Sequence, residues 1–266
     1  MTTGALSARH PQIQRLRALN RDRRARAEEQ AFVLEGPRLV ETALDRDAPL
    51  DAVYLGPNAR RAFAPLVARL AAHDVPVHDL REGVLEKIGV TRTPQPVLGV
   101  APIRPATLDT LPPGDVLVAV DVADPGNLGT MIRSAEAAGT AALLATGDAV
   151  DPHNPKTVRS SAGAILDLPV VVTRQAPDAL DALHDRGRRL IGAVAHGGGP
   201  LDALAHPGPI ALVVGHEIRG LHDQTHEQLD DLVTIPLHAH AESLNVAMAA
   251  TVLLFDRDRR VCDRRR

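Results

Sequence analysis

"VLVAVDVADPGNLGTMIRSAEAAGTAALLATG", residues 116–147, reads as a strand, a turn, a helix and a second strand. The first five residues are all apolar, as are most of 141–147, so neither strand alternates between a wet and a dry face. Continuous apolar strands joined by a helix mark a parallel sheet covered on both sides. The same pattern continues to the C-terminus. "NPKTVRSSAGAILDLP" (154–169) is mostly helical, "VVVT" is a strand and "DALDALHDRG" a helix, and "RLIGAVAH", "PIALVVGHE" and "DLVTIPL" are strands before a last apolar helix over 243–255.

Upstream, a second α/β unit is expected. "AFVLEG", "DAVYLG", "PVHDL" and "PVLGVAPI" are strands, separated by helices over "PRLVETALD", residues 58–74 and "REGVLEKIG". "PATLDTLPPGD" (105–115) has three prolines, a glycine and no apolar period, and reads as a linker. The organisation expected is therefore a domain over 1–104, a linker over 105–115 and a larger domain over 116–266.

Bulk composition excludes several classes. At 266 residues, 44% hydrophobic and 24% charged, the chain suits one large or two modest domains. It has no 18-residue apolar run, which argues against a membrane span, and its N-terminus lacks the apolar core of an export signal. The single Cys262 rules out an internal disulfide and fits a reducing cytoplasm. "HAH" (238–240) lacks the further ligands a metal needs, so no metal is expected.

Formal net charge is −3, yet residues 1–26 carry seven arginines against one acid, Asp22. Residues 257–266 carry six arginines against Asp258 and Asp263. Basic ends on an acidic chain suggest contact with a polyanion. "IQRLRALNRDRRARAEE" is the better candidate, as a helix with one basic face. With three Phe, one Tyr and no Trp, an aromatic platform for bases is not expected.

No G-x-G-x-x-G follows a strand, and neither a P-loop nor a G-x-S-x-G elbow occurs. A dinucleotide oxidoreductase and a serine hydrolase are both disfavoured. Three segments at strand ends remain, where open α/β sheets place their ligands. They are "DVADPGNLGTMIRSAEAAG" (121–139) with Asn127 and Arg133, "VVGHEIRGL" (213–221) with Gly215 and Glu217, and "IPLHAHAESLNVAMAA" (235–250) with Glu242, Ser243 and Asn245. Ser243 has two readings: it caps the last helix, or with Asn245 and the free helix N–H groups it makes a ligand site.

Together, in this order and spacing, the three segments resemble the three motifs of the SpoU/TrmH RNA ribose methyltransferases of the SPOUT superfamily. "FVLEGPRLVETAL" and "PQPVLGV" resemble the substrate-binding N-terminal domain of the ribosomal RNA-modifying members, so the resemblance spans essentially the whole chain. Two positions depart from it: Ala239 stands where Gly is common, and His216 where Asn or Ser is usual.

The resemblance implies a parallel-sheet domain over 116–266 with a deep trefoil knot, which connection rules alone make improbable. It implies S-adenosylmethionine bound through Gly215, Ile235, Leu237 and Leu244, and methyl transfer to a ribose 2′-hydroxyl of RNA, most of all ribosomal RNA. Arg133 would activate that hydroxyl, Asn127 and Glu217 would shape the pocket and hold Arg133, and Ser243 and Asn245 would order the RNA backbone. A homodimer with its site near the interface is implied too. The alternatives are a non-catalytic RNA-binding relative and a tRNA methyltransferase.

Overall fold

The computed structural model describes residues 4–89, 93–238 and 243–264. The chain divides into two compact units, residues 1–104 with 153–167, and residues 105–152 with 168–266. Residues 153–167 were read as part of the larger domain, yet they pack with the N-terminal one.

In the first unit, α1 (Pro11–Arg21) and α2 (Arg23–Glu29) lead into β1 (Ala31–Glu35). There follow α3 (Pro37–Asp45), β2 (Ala52–Leu55), α4 (Ala59–Ala62), α5 (Ala64–Ala72), β3 (Val77–Asp79), α6 (Leu85–Ile88) and β4 (Val97–Pro102). The sheet runs β1-β4-β2-β3, with β4 antiparallel to both neighbours and β2 parallel to β3. Ile13, Leu16 and Leu19 of α1 are buried in the core formed with Val33, Tyr54 and Leu98.

Three helices differ from their expected extents, each for a backbone reason. Residues 58–74 form two helices because Pro65 lies in the first turn of α5, where its ring is incompatible with a continuous helix. The helix expected over 81–89 shrinks to α6 after Gly83, whose φ is +73°. The Arg-rich helix breaks at Asp22, which is extended and accepts a hydrogen bond from Arg24 N at 2.8 Å, capping α2.

That break redistributes the arginines. Arg26 is buried and donates to Leu19 O at 2.7 Å, and Arg15 pairs with Glu29 and Asp51. Arg9, Arg17 and Arg23 make no side-chain hydrogen bond or ion pair with a described residue.

The 153–167 segment carries α8 (Pro155–Ser160), which packs beside β1. Arg159 reaches the Glu35 carboxylate at 2.5 Å, and the Glu35 side chain is 2% exposed. His153 lies against the Phe32 ring, with centroids 4.9 Å apart, and Arg46 pairs with Asp167 at 2.6 Å. Gly163, at φ +97°, touches Thr42 so closely that a Cβ there would sit 2.6 Å from its methyl.

The second unit contains β5 (Val116–Val120), α7 (Pro125–Ala137), β6 (Ala142–Thr146), β7 (Val170–Thr173), α9 (Ala176–Asp185), β8 (Arg189–Ala193) and β9 (Ile210–Val214). It ends with α10 (Asp223–His226), β10 (Asp231–Val233) and α11 (Val246–Arg264). Its six strands run β10-β8-β9-β5-β6-β7, every pairing parallel. All the residues of β5, β6 and β9 are buried, as continuous apolar strands require. From β5 the chain steps outward through β6 and β7, then crosses to the other side. The order reverses between β5 and β9, and that crevice is where such sheets bind ligands.

The last helix begins three residues later than expected and continues to Arg264. It is not buried on all sides. Ala247, Ala250, Leu253 and Leu254 face inward, whereas Met248, Val252 and Phe255 are 52%, 45% and 45% exposed. No described helix is long and apolar enough to cross a membrane.

Residues 153–167 are covered by the first unit, so a chain starting at Pro105 leaves buried Val158, Ile165 and Leu166 without their packing partners. That truncated protein should bind a hydrophobic dye and melt well below the full chain. A truncation that stays dye-silent with an unchanged Tm would show that the segment packs elsewhere. Within the full chain, Arg159→Met removes a charged partner from buried Glu35 and should cost about 1–3 kcal/mol by chemical denaturation.

Candidate functional site

Asn127 and Glu217 meet at the reversal point. Asp124 caps α7, accepting from Asn127 N at 3.0 Å, with Pro125 at the first helical position, where a missing N–H costs nothing. This turn sets the Asn127 side chain, whose Nδ2 donates to Glu217 Oε1 at 2.9 Å. Glu217 also accepts from Asp124 N at 3.0 Å and from Ala123 N at 3.2 Å. The loop after β9 is thereby fastened to the loop after β5.

Asn245 completes the cluster. Its Nδ2 donates to Asn127 Oδ1 at 2.9 Å, and its Oδ1 accepts from Ala247 N at 2.9 Å and Met248 N at 3.3 Å. Asn245 is thus the cap of α11, and Ser243 is not. Ser243 is exposed, makes no hydrogen bond with a described residue, and lines the cleft described below. Of its two readings, the capping one is incorrect. The geometry favours Asn because its amide caps with the oxygen while its NH₂ still reaches Asn127. Glu242 lies outside the described residues.

Burial works against the charged form of Glu217, but hydrogen bonds from the Asn127 amide and from the Asp124 and Ala123 N–H groups outweigh it. They hold the carboxyl below its ordinary range.

Beside the cluster, at the ends of β8, β9 and β10, lies a cleft of ≈ 320 Å³. Gly215, Glu217, Ile235, Leu237, Ser243 and Leu244 all contribute to its walls, alongside Ala193–His196 and the start of α11. Its size and apolar lining fit a small organic cofactor. Gly215 has no room for a side chain, since a Cβ would lie 2.3 Å from the Gly220 carbonyl group. The residues named for the cofactor, Gly215, Ile235, Leu237 and Leu244, are thus brought together in one cleft.

Arg133 stands apart. It is exposed on α7, does not line the cleft, and its side chain makes no hydrogen bond or ion pair with a described residue. Glu217 and Asn127 direct their polar atoms to one another and to Asp124, Ala123 and Asn245, and not to Arg133. On the far side of α7, Ser134 donates to the Thr251 hydroxyl at 2.7 Å, since Thr251 gives its own proton to Ala247 O.

Sequence reasoning missed Asp121 and His222. Asp121 sits at φ +55°; its Oδ1 accepts from Asp148 N at 2.7 Å and its Oδ2 from His222 Nε2 at 3.0 Å. One carboxylate thereby ties together the loops after β5, β6 and β9. Gly147 is forced by it, because a Cβ there would be 2.1 Å from Asp121 Oδ1. An acid directly after an apolar strand, facing a "TG" strand end, was the available signal. Among the described residues no group of three His, Cys, Asp or Glu is placed to hold a metal.

Residues 115–255 match the family described as SpoU rRNA methylase, and residues 10–99 match the MRM3-like substrate binding domain. The chain is 32% identical over 233 residues to the 23S rRNA (guanosine(2553)-2′-O)-methyltransferase RlmP of Bacillus subtilis, covering 88% of this chain and 90% of that one. It is 30% identical over 264 residues to a 23S rRNA (uridine(2479)-2′-O)-methyltransferase of Streptomyces viridochromogenes, covering 94% and 90%. Its fold is similar to the crystal structure of an AdoMet-bound rRNA methyltransferase from Sinorhizobium meliloti, with a TM-score of 0.79, 30% identity, and coverage of 94% and 95%.

A depressed carboxyl stabilises the fold above its unfolded pKa, and that contribution disappears as pH falls through the folded value. Glu217→Gln should therefore melt below wild type at neutral pH, with the gap closing as pH drops through and below about 4.3. A gap that is constant down to the acid transition would show that the charge on Glu217 is not what holds the loops.

Proposed function

Since the chain belongs to the SpoU rRNA methylase family, we infer that it transfers a methyl group from S-adenosylmethionine to a ribose 2′-hydroxyl of RNA, with ribosomal RNA as substrate. The observation that supports it in the structure is the Asn127–Glu217–Asn245 cluster at the mouth of the cleft, which joins all three motif segments by hydrogen bonds.

When bound, S-adenosylmethionine supplies a methyl group already activated on a sulfonium. The protein's task is to align the two centres, while the hydroxyl proton passes to solvent water. Gly215, Ile235, Leu237 and Leu244 hold the cofactor by close backbone approach and apolar contact. Ser243, exposed at the rim with a free hydroxyl, and Asn245 order the RNA backbone. Asn127 and Glu217 keep the rim rigid. A guanidinium only donates hydrogen bonds, so the role of Arg133 is to pin a phosphate and stabilise charge developing on the ribose oxygen.

In one chain Arg133 has no place in the cluster, which supports its service in the site of a second copy. The exposed Met248, Val252 and Phe255 lie along α11, the helix packed beside α7, and form the face through which a homodimer is built in this reading. The trefoil knot belongs to the same reading, within the C-terminal part of residues 116–266. So does a cytoplasmic location, where ribosomal RNA and a reduced Cys262 are both at home.

Arg133→Ala should abolish transfer to ribosomal RNA and leave S-adenosylmethionine affinity within about twofold, because stabilising charge at a reacting oxygen contributes roughly a hundredfold or more. Turnover at a tenth of wild type or better would remove Arg133 from the mechanism. Mixing inactive Arg133→Ala with inactive Ser243→Ala protein should restore activity if two chains share a site. Light scattering gives the association state independently: a monomer at micromolar concentration excludes the dimer. Substituting deoxyribose at the target nucleotide should eliminate the product, and methyl transfer that persists would place the acceptor on a base.

A further inference from the structure

Ile218 is 89% exposed, the most exposed large hydrophobic among the described residues. Its exposure does not come from a slack loop. Residues 215–220 form a tight turn closed by two backbone hydrogen bonds, His216 N to Gly220 O at 3.0 Å and Gly220 N to His216 O at 2.9 Å. Gly220, at φ +68°, turns the chain, and Gly215 packs against it with no space for a Cβ. His216 closes the turn from inside, its Nδ1 accepting from Ile218 N at 3.0 Å and from Arg219 N at 3.4 Å. Here the histidine does what an Asn or Ser side chain does in such turns. The turn therefore holds Ile218 and Arg219 outward on a fixed backbone.

The tip's position gives it a use. Glu217, the preceding residue, is the carboxylate that fastens this loop to Asn127, and Ile218 lies on the rim of the cleft. The Arg219 side chain is exposed and makes no hydrogen bond or ion pair with a described residue. A protein that acts on RNA usually meets bases with aromatic faces. Among the described residues no aromatic side chain other than His lines this cleft; Tyr54 and Phe32 are each 2% exposed, and the 45% exposed Phe255 of α11 is not part of its lining. Apolar contact with a base at this rim falls to an aliphatic side chain, as it does for the wedge residues of other nucleic-acid binders. An arginine directly beside it matches a phosphate of the same strand.

We infer that Ile218 and Arg219 form a rigid RNA-reading tip, in which Ile218 packs on a base next to the methylated ribose and Arg219 pairs with a phosphate of that strand. The inference rests on the RNA substrate proposed above and adds the residues that would meet it.

The test uses full-length protein and an in vitro transcript of large-subunit ribosomal RNA, with binding measured separately from turnover. Ile218→Ser and Arg219→Ala should each weaken RNA binding about threefold to tenfold and raise KM for RNA in step. The kcat and S-adenosylmethionine affinity should stay within about twofold, and Ile218→Leu should restore binding. Arg219→Ala should also lower the slope of log K against log salt by about 0.7–0.9, the loss of one phosphate contact. Unchanged RNA affinity in both variants overturns the inference. So does a change of association state in Ile218→Ser by light scattering, which makes a second copy the occupant, or a parallel loss of cofactor affinity, which makes the tip part of the cofactor cleft. If wild type binds the transcript without methylating it while both variants lose binding, the tip stands and the catalytic reading falls.

Discussion

A carboxylate can only accept hydrogen bonds, and that one-sidedness organises the site. Glu217 demands donors, so the Asn127 amide must turn its NH₂ toward it and its oxygen outward. The outward oxygen requires a donor in turn, and Asn245 supplies one while its own oxygen caps α11. Each amide orientation follows from the one before it, leaving a single consistent arrangement. Three loops far apart in sequence are thereby set by one charge. The sheet makes this possible, because β5 and β9 are neighbours and end at the same edge.

Much of the larger unit was legible because its signal is redundant. Strands such as β5, β6 and β9 are apolar at every position, which only a doubly covered sheet tolerates. Three segments that each follow an apolar strand then placed Asn127, Glu217 and Asn245 at one edge. Gly215 and Leu237, named through the family resemblance alone, both follow strands of that edge and line one cleft.

What the sequence hid depends on partners rather than on pattern. Ser243 and Asn245 are both good caps by residue type, and the Asn127 oxygen, 118 positions away, decides between them. Asp121 looked like an ordinary strand terminus until Asp148 and His222 arrived on either side of it. In the N-terminal region composition misled: a run of arginines suggested one basic face, but Asp22 interrupts the helix and Arg26 turns inward. Likewise α11 looked apolar all round, whereas its neighbours cover only one side and leave Met248, Val252 and Phe255 outside.

The 153–167 segment has a consequence for how such a protein can be changed. The chain passes between the two units three times, at 104–105, at 152–153 and at 167–168, and a single cut at the proline-rich linker separates neither cleanly. A graft of the N-terminal unit from a relative would have to bring two pieces of sequence, one of them lodged between β6 and β7. Arg159 and Glu35, or Gly163 and Thr42, would need to travel as pairs. Divergence in the N-terminal half is therefore answerable to residues more than a hundred positions downstream, in a stretch that by position alone belongs to the methyltransferase half.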